Sequence, residues 1–290
     1  MPDGPHRTYL FAPGNHPRKV EKVFAAGADA AILDLEDAVA AGEKEGARAA
    51  VVAALERPRT CRAFVRVNAF DTAFHAGDLE AVVGPWLDGV MLPKVESPAQ
   101  LAAADQRLGV LERRHGIAAG AIDLLPIVET ANGLAAVAAI AAAGTRVRRL
   151  SFGAVDLAKD LGMQLTLDEW ELTPARAAIA LASRAAGLDA PIDTVWVHFR
   201  DHAGLVESAG RARTLGFQGK MCIHPDQVAP VNAAFTPSDE EEAKAAKIVA
   251  AFEQAEAAGS ASIVVDGFFV DYPVVDQARR TLALVKSIRG

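Results

Sequence analysis

The alternation of short apolar runs with longer amphipathic segments constrains the fold of this 290-residue chain more than any other feature. Each run has the length of one β-strand, and the segments between them place apolar residues at helical spacing. Repeated strand–helix units of this kind build a parallel sheet covered by helices. The runs are TYLFAPG, AAILDLED, AFVRVN, GVMLPKVE, LLPIVET, RLSFGAVD, TVWVHF and KMCIHP.

Eight candidate strands favour a closed (β/α)8 TIM barrel over an open doubly wound sheet. No G-x-G-x-x-G follows any run and no G-x-x-x-x-G-K-[ST] occurs, so the sequence supports neither dinucleotide nor P-loop binding. We therefore predict an α/β fold in which residues 1–236 form the barrel domain.

The last part of the chain, residues 237–290, exceeds what a bare barrel requires. It opens with a Thr/Ser cap and an acidic first turn, runs as a helix and ends at Gly259. The following SIVVDGFFVDYP predicts a hairpin that turns at Asp266-Gly267, and a final helix begins near Pro273. We predict a C-terminal helix–hairpin–helix extension.

Charge and cysteine usage exclude several classes of function. The net charge of −7 and the lack of a long Lys/Arg run argue against nucleic acid as a partner. No stretch reaches the length of a membrane span, and Pro and Gly interrupt the N-terminus where a signal peptide needs an apolar core. Cys61 and Cys222 lack paired spacing, which indicates a reducing setting, and we expect a cytoplasmic protein.

Polar residues recur at the predicted strand ends, which is where TIM barrels carry their active sites. They are Glu36 and Asp37 after the second strand, Arg66 and Asn68 on the third, Lys94 and Glu96 on the fourth, Glu129 after the fifth and Asp156 after the sixth. Packing alone does not explain such a density of polar groups at one rim.

Glu129 and Asp156 follow adjacent parallel strands, whose axes lie roughly 4.8 Å apart, so both carboxylates can reach one point above the barrel mouth. Left alone, the two carboxylates would repel each other and one would tend to stay protonated. A divalent cation removes this conflict, and oxygen ligands with room for water suit Mg²⁺ better than Zn²⁺. The alternative is that either residue is a structural carboxylate paired with an arginine.

Arg66 alternates with Val65 and Val67, so its guanidinium is expected to enter the barrel mouth, where it requires an anion. Two partners are open at this point. Arg66 either neutralises Glu36 or Asp37, or it binds a substrate carboxylate through two parallel hydrogen bonds.

Basic and histidine residues near the rim have ordinary structural explanations as well. Arg18, Lys19 and Lys22 follow the first strand at helical spacing and could form only a solvated helix face. His198 and His224 end the seventh and eighth runs, where histidines commonly make rim hydrogen bonds, and no H-E-x-x-H accompanies them.

The ordered strand-end segments resemble the citrate lyase β-subunit-like branch of the HpcH/HpaI aldolase superfamily. The similarity extends over almost the whole chain, including the extension. The segments are LFAPGNHPRKVEK, LDLEDAV, VRVN, MLPKVES, PIVET, SFGAVDLAKDLG, IHPDQ and VDGFFVDYP.

This resemblance implies a Mg²⁺ enzyme, with Mn²⁺ as a possible substitute, whose substrate carries CoA. Glu129 and Asp156 would be the metal ligands, with Glu129 also beside the substrate, and Arg66 would bind the substrate carboxylate. Glu36 and Asp37 would order metal-bound water. The implied reaction cleaves or forms citryl-CoA, malyl-CoA or citramalyl-CoA, with acetyl-CoA and a 2-oxo acid such as oxaloacetate, glyoxylate or pyruvate on the other side.

The resemblance also assigns roles outside the metal site. Arg18 and Lys22 would contact the CoA phosphates. Asp271 would be the acid that protonates the enolate carbon. It would act in the active site of a neighbouring subunit, which the extension would cover as a lid. The protein would be a homotrimer or a higher oligomer of trimers. A malyl-CoA-type thioesterase, an aldolase of free hydroxy acids and a non-catalytic subunit of a lyase complex remain alternatives, and the sequence does not decide the acyl-CoA, the direction or the need for partner subunits.

Overall fold

The computed structural model describes residues 6–289, and these divide into two compact units between Asn232 and Ala233. The first unit contains a closed barrel in which each of eight parallel strands pairs with the next and β8 pairs with β1. This confirms the predicted (β/α)8 fold. The strands are β1 (Thr8–Pro13), β2 (Ala30–Asp34), β3 (Arg62–Arg66), β4 (Gly89–Leu92), β5 (Asp123–Val128), β6 (Ser151–Phe152), β7 (Ile192–Asp193) and β8 (Gly219–Cys222).

Helices connect the strands and cover the barrel. They are α1 (Pro17–Val23), α2 (Lys44–Leu55), α3 (His75–Val82), α4 (Pro98–His115), α5 (Ala131–Ala135), α6 (Val137–Ala141), α7 (Ala154–Leu161), α8 (Thr173–Ala185), α9 (His202–Thr214) and α10 (Val228–Ala234). The longest, α4, begins at a capping box between Ser97 and Gln100 and ends at Gly116 in the left-handed conformation. Across residues 6–289, no helix combines the length and apolar character that a bilayer crossing requires.

The barrel interior is filled by side chains from alternate strand positions, because successive residues of a strand face opposite sides. The buried interior cluster consists of Tyr9, Ala30, Ile32, Phe64, Met91, Leu125, Ile127, Ile192 and Met221. The residues two places after Ile32, Phe64 and Ile127 are Asp34, Arg66 and Glu129. The inward face of three strands therefore changes from apolar to charged at the carboxyl end of the barrel.

The seventh strand differs from the prediction. The strand is Ile192–Asp193, and the run TVWVHF that we predicted to form it starts directly afterwards and takes no part in the described strand pairing. Asp193 is fully buried, and its carboxylate lies 2.6 Å from Lys220 Nζ and 2.9 Å from Arg176 Nε. A charged residue in a buried strand interrupts the apolar pattern, and only these ion pairs make its burial possible.

The C-terminal unit is a helix–hairpin–helix, as predicted. It comprises α11 (Asp239–Ala257), the antiparallel strands β9 (Ile263–Val265) and β10 (Phe268–Val270), and α12 (Tyr272–Arg289). Asp266 and Gly267 turn the hairpin with φ of 51° and 78°, the positive values that a tight two-residue turn requires. The core of this unit is formed by Ala245, Ile248, Phe252, Val270, Val275 and Ala278.

Candidate active site

Arg66 is held at the barrel mouth by a carboxylate that the sequence analysis did not single out. Its Nε and Nη2 donate to the two carboxylate oxygens of Asp34, at 2.8 and 2.6 Å. Nη1 lies 3.1 Å from Glu36 Oε2, in an ion pair without hydrogen-bond geometry, and the guanidinium lies over the Phe11 ring. Of the two acidic residues expected as neutralising partners of Arg66, Glu36 is in contact with it, whereas Asp37 pairs with Lys94.

Lys94 links the ends of three strands. Its ammonium forms an ion pair with Glu36 and another with Asp37, whose Oδ2 is 3.3 Å away. Its backbone N–H donates to Glu129 Oε1 at 2.8 Å. The hydrogen bonds of the described chain leave the other oxygen of Glu129, Oε2, without a donor.

Glu129 is a buried carboxylate in an unfavourable environment. Burial, followed by the neighbouring charge of Glu36, raises its pKa to about 8, with Arg66 acting in the opposite direction and Asp156 adding to the rise. Asp156 lies in the first turn of α7 and is half-buried. The residue before that helix is Gly153, and a β-carbon there would overlap Glu129 Oε2, so the absence of a side chain makes room for the carboxylate.

This raised pKa makes the metal-free protein less stable at higher pH. The folded state keeps a proton on Glu129 between the ordinary carboxyl pKa of 4.5 and about 8, where the unfolded chain has released it. Because the folded state binds more protons in this window, its stability falls as pH rises through it. Across this window the free energy of unfolding of the wild type should fall by a few kcal/mol, about 1.4 kcal/mol per pKa unit of the shift. We expect Glu129→Gln to remove this fall.

Urea unfolding of chelator-treated protein at several pH values between 5 and 8 measures the effect. Glu96→Gln is the matched control, because Glu96 also follows a barrel strand but does not line the cavity. An unchanged pH dependence in Glu129→Gln would show that Glu129 does not hold this proton.

A divalent cation suits the donor set. Glu129 and Asp156 line one cavity, one oxygen of Glu129 has no donor, and both burial and nearby negative charge disfavour its ionised form without a cation. Within residues 6–289 no group of three or more His, Cys, Asp and Glu side chains could by itself hold an ion. Two carboxylates with remaining positions for water and substrate oxygen match Mg²⁺, which keeps several waters in protein sites.

The cavity at the barrel mouth has a volume of about 740 Å³ and brings most of the predicted site residues together. Its polar side is formed by Asp34, Asp37, Arg66, Glu129 and Asp156. Lys19 and Lys22 of α1 also line it, whereas Arg18 is exposed on the same helix and does not. The apolar part of the lining includes Val155, Val195, Val197 and Ile223.

Asn68 lies behind the site rather than in it. It is buried, and its amide donates to Leu35 O at 2.9 Å and to Asp78 Oδ2 at 2.7 Å. Its Oδ1 accepts from Lys44 Nζ, which also donates to the backbone carbonyls of Leu35 and Glu36. Lys44 and Asn68 thus fix the backbone that presents Glu36, and no sequence pattern signals Lys44.

The remaining predicted residues are distributed as follows. His224 lines the cavity and stacks on Phe199 with ring centroids 5.6 Å apart, whereas His198 packs edge-on against Trp196 outside it. Asp271 belongs to the C-terminal unit, is half-buried and immediately precedes α12, where its backbone carbonyl accepts from Val275 N.

Comparison with known proteins identifies the family of this chain. The family model of the HpcH/HpaI aldolase/citrate lyase family matches residues 7–225. The citrate lyase subunit beta of Leuconostoc mesenteroides subsp. cremoris is 35% identical, with 97% of this chain and 93% of that protein covered. The L-malyl-CoA/beta-methylmalyl-CoA lyase of Cereibacter sphaeroides is 38% identical, with 96% and 93% covered.

The solved structures lead to the same family. CitE from Mycobacterium tuberculosis in complex with magnesium, acetoacetate and coenzyme A is 34% identical, with a TM-score of 0.81 over 99% of this chain and 100% of that one. The similarity therefore includes the extension as well as the barrel. This chain belongs to the HpcH/HpaI aldolase/citrate lyase family.

Proposed function

We propose that this protein is a Mg²⁺-dependent carbon–carbon lyase that acts on a short β-hydroxyacyl-CoA and yields a 2-oxo acid and acetyl-CoA. The observation that carries the proposal is the cavity in which two carboxylates, Glu129 and Asp156, lie with one arginine, Arg66. Relatives named as citrate lyase subunit beta and malyl-CoA lyase support the reaction class, and the CitE complex with magnesium and coenzyme A supports the ligands.

Glu129 and Asp156 would hold the cation, which when bound supplies Lewis-acid polarisation and a template for the substrate oxygens. Arg66 would hold the substrate carboxylate. Its guanidinium has five N–H groups, and Asp34 uses two of them, on Nε and Nη2. Even if one N–H group of Nη1 faces Glu36, one N–H group on Nη1 and one on Nη2 remain for a substrate carboxylate.

In the cleavage direction the substrate hydroxyl loses its proton and becomes the carbonyl of the 2-oxo acid. The bond between the carbon that carried the hydroxyl and the carbon next to the thioester breaks. Its electron pair moves into the enolate of acetyl-CoA. Glu36 and Asp37 would order the water that accepts the hydroxyl proton. Asp271 would return one proton to the enolate carbon, so that the reaction consumes none overall.

Lys22 is the stronger candidate for the CoA phosphates, because it lines the cavity, and Lys19 joins it there. Arg18 lies on the exposed face of the same short helix, where a phosphate outside the cavity could reach it. We further propose that the active form is a homotrimer in which the extension of one subunit covers the barrel of the next.

A steady-state screen of the purified protein against malyl-, citramalyl- and citryl-CoA, with and without Mg²⁺, tests the function. We expect Mg²⁺-dependent release of acetyl-CoA and a 2-oxo acid. Free CoA with intact malate would instead identify a thioesterase. Activity on free hydroxy acids alone would identify an aldolase, and the absence of turnover in all assays would contradict an enzymatic role for the isolated chain.

Arg66→Lys tests the role of the guanidinium. We expect its KM to rise at least tenfold, about 1.4 kcal/mol or more, nearly as far as in Arg66→Ala, because an ammonium keeps the charge but cannot engage Asp34 and a second carboxylate through paired donors. Steady-state kinetics of both variants at saturating Mg²⁺ measures the difference. A KM restored fully by Lys would show that Arg66 only balances charge.

A further inference from the structure

Lys94 has a backbone conformation that its side chain does not favour. Its φ is 51°, in the left-handed region, and only two other non-glycine residues between His6 and Arg289 share that sign, Glu169 and Asp266. Such a conformation costs a residue with a β-carbon roughly 1–2 kcal/mol. Asp266 sits in a hairpin turn that requires this conformation, whereas Lys94 lies two residues after the end of barrel strand β4.

The left-handed turn at Lys94 places one donor where the site needs it. The N–H of Lys94 points to Glu129 Oε1 at 2.8 Å, and the next N–H, that of Val95, returns to the barrel through Ile127 O at 3.2 Å. With Oε1 engaged, Oε2 is the oxygen of Glu129 that remains for a cation. The backbone of Lys94 thereby determines how the buried carboxylate is oriented.

The side chain of the same residue orients the other two acids. Its ammonium forms ion pairs with Glu36 and Asp37, and only about a third of the side chain, 32%, is exposed. Without this cation, Glu36 would keep the single charged partner Arg66, which Asp34 already engages through two hydrogen bonds. One residue therefore connects the predicted metal ligand with the two carboxylates after β2.

We propose that Lys94 is a positioning residue with two separable roles: its left-handed backbone orients Glu129 for the cation, and its ammonium orients Glu36 and Asp37 for the reaction. This inference rests on the proposed function. It assigns no contact with substrate to Lys94.

Three variants separate the two roles. Lys94→Asn removes the charge but tolerates the left-handed conformation, Lys94→Val removes the charge and disfavours that conformation, and Lys94→Arg keeps the charge. Lys286→Asn is the control, an exposed lysine of α12 in the C-terminal unit. The measurements are the Mg²⁺ dissociation constant by calorimetry without substrate, the melting temperature, and kcat and KM with the acyl-CoA.

We expect Lys94→Val to bind Mg²⁺ at least tenfold more weakly than Lys94→Asn, the size of loss typical when a group that orients a ligand is removed. We expect Lys94→Asn to lose at least tenfold in kcat, with Lys94→Arg recovering most of that loss and KM changing little. Equal Mg²⁺ affinity in Asn and Val would overturn the backbone role, and an unchanged kcat in Lys94→Asn would overturn the ammonium role.

The design also distinguishes this inference from the proposed function. A wild-type protein that binds no Mg²⁺ would contradict both. Wild-type Mg²⁺ affinity together with wild-type kcat in all three Lys94 variants would contradict the positioning role alone. A uniform loss of melting temperature without the expected split between Mg²⁺ affinity and kcat would show that Lys94 only stabilises the fold.

Discussion

Glu129→Ala and Asp156→Ala should each lower kcat/KM for the acyl-CoA by about 10³-fold, which corresponds to roughly 4 kcal/mol of transition-state stabilisation. Each substitution removes one of the two carboxylates that share the cavity, and the single remaining carboxylate should bind a hydrated cation much more weakly. The Mg²⁺ dissociation constant should rise in parallel. Steady-state kinetics over a range of Mg²⁺ concentrations and calorimetry without substrate measure the two effects.

The folded state should survive these substitutions. Removal of Glu129 relieves a carboxylate that is unfavourable without a cation, so the metal-free variant should melt no lower than the metal-free wild type at pH 8. Glu129→Gln and Asp156→Asn should be intermediate at best, because they keep the geometry and lose the charge. Glu96→Ala is the control for substitution at a strand end. Near-normal Mg²⁺-dependent activity in Glu129→Ala would show that Glu129 is not a ligand of the metal.

Strand periodicity accounts for the part of the site that could be predicted. Glu129 and Arg66 each stand two residues beyond an apolar residue that fills the barrel, so an alternating pattern places them in the mouth. The same alternation also places Asp34, two residues after Ile32, in the mouth, although Glu36 and Asp37 beyond the strand end give the more obvious polar signal. The pattern therefore indicates Asp34 as a neighbour of Arg66, and the structure shows the two in bidentate contact.

Other features could not be predicted because they depend on contacts far apart in the sequence. The seventh strand carries Asp193, whose burial depends on Lys220 and Arg176, and a local pattern does not reveal such partners. Asn68 follows the same alternation as Arg66, yet Asp78 and Lys44 draw it away from the cavity. The left-handed backbone at Lys94 has no local signal either, because lysine is not a residue that ordinarily adopts it.

The hairpin of the extension provides an argument for the proposed trimer. Val264 and Phe269 pair across the hairpin on the face away from the core of this unit, and they are 69% and 60% exposed, an apolar face that a folded unit rarely leaves open. Asp271 stands two residues after Phe269 and immediately precedes α12. A hairpin that packs its apolar side chains onto a neighbouring barrel would carry Asp271 with it and would exclude water from the enolate.

Helix capping is the alternative role of Asp271, and one substitution separates it from acid catalysis. Asn caps helices about as well as Asp but cannot donate a carboxylic proton. We expect Asp271→Asn to keep the melting temperature of the wild type and to lose between about 10² and 10⁴ in kcat, the usual contribution of a positioned acid. Full activity in Asp271→Asn would assign the residue to capping.

A mixing experiment then shows whose active site Asp271 serves. Asp271→Asn and Arg66→Ala proteins are unfolded together at equal amounts, refolded and assayed at a substrate concentration well below the KM of Arg66→Ala, where each variant alone is nearly inactive. If the sites are shared between subunits, about a quarter of the wild-type activity should return, because half of the barrels and half of the extensions in random trimers are intact. Arg66→Ala mixed with Glu129→Ala is the control, since both lesions lie in the barrel and no pairing of subunits restores a complete site. Mixed oligomers that form and remain inactive in the first mixture would place Asp271 in the site of its own barrel or outside the reaction.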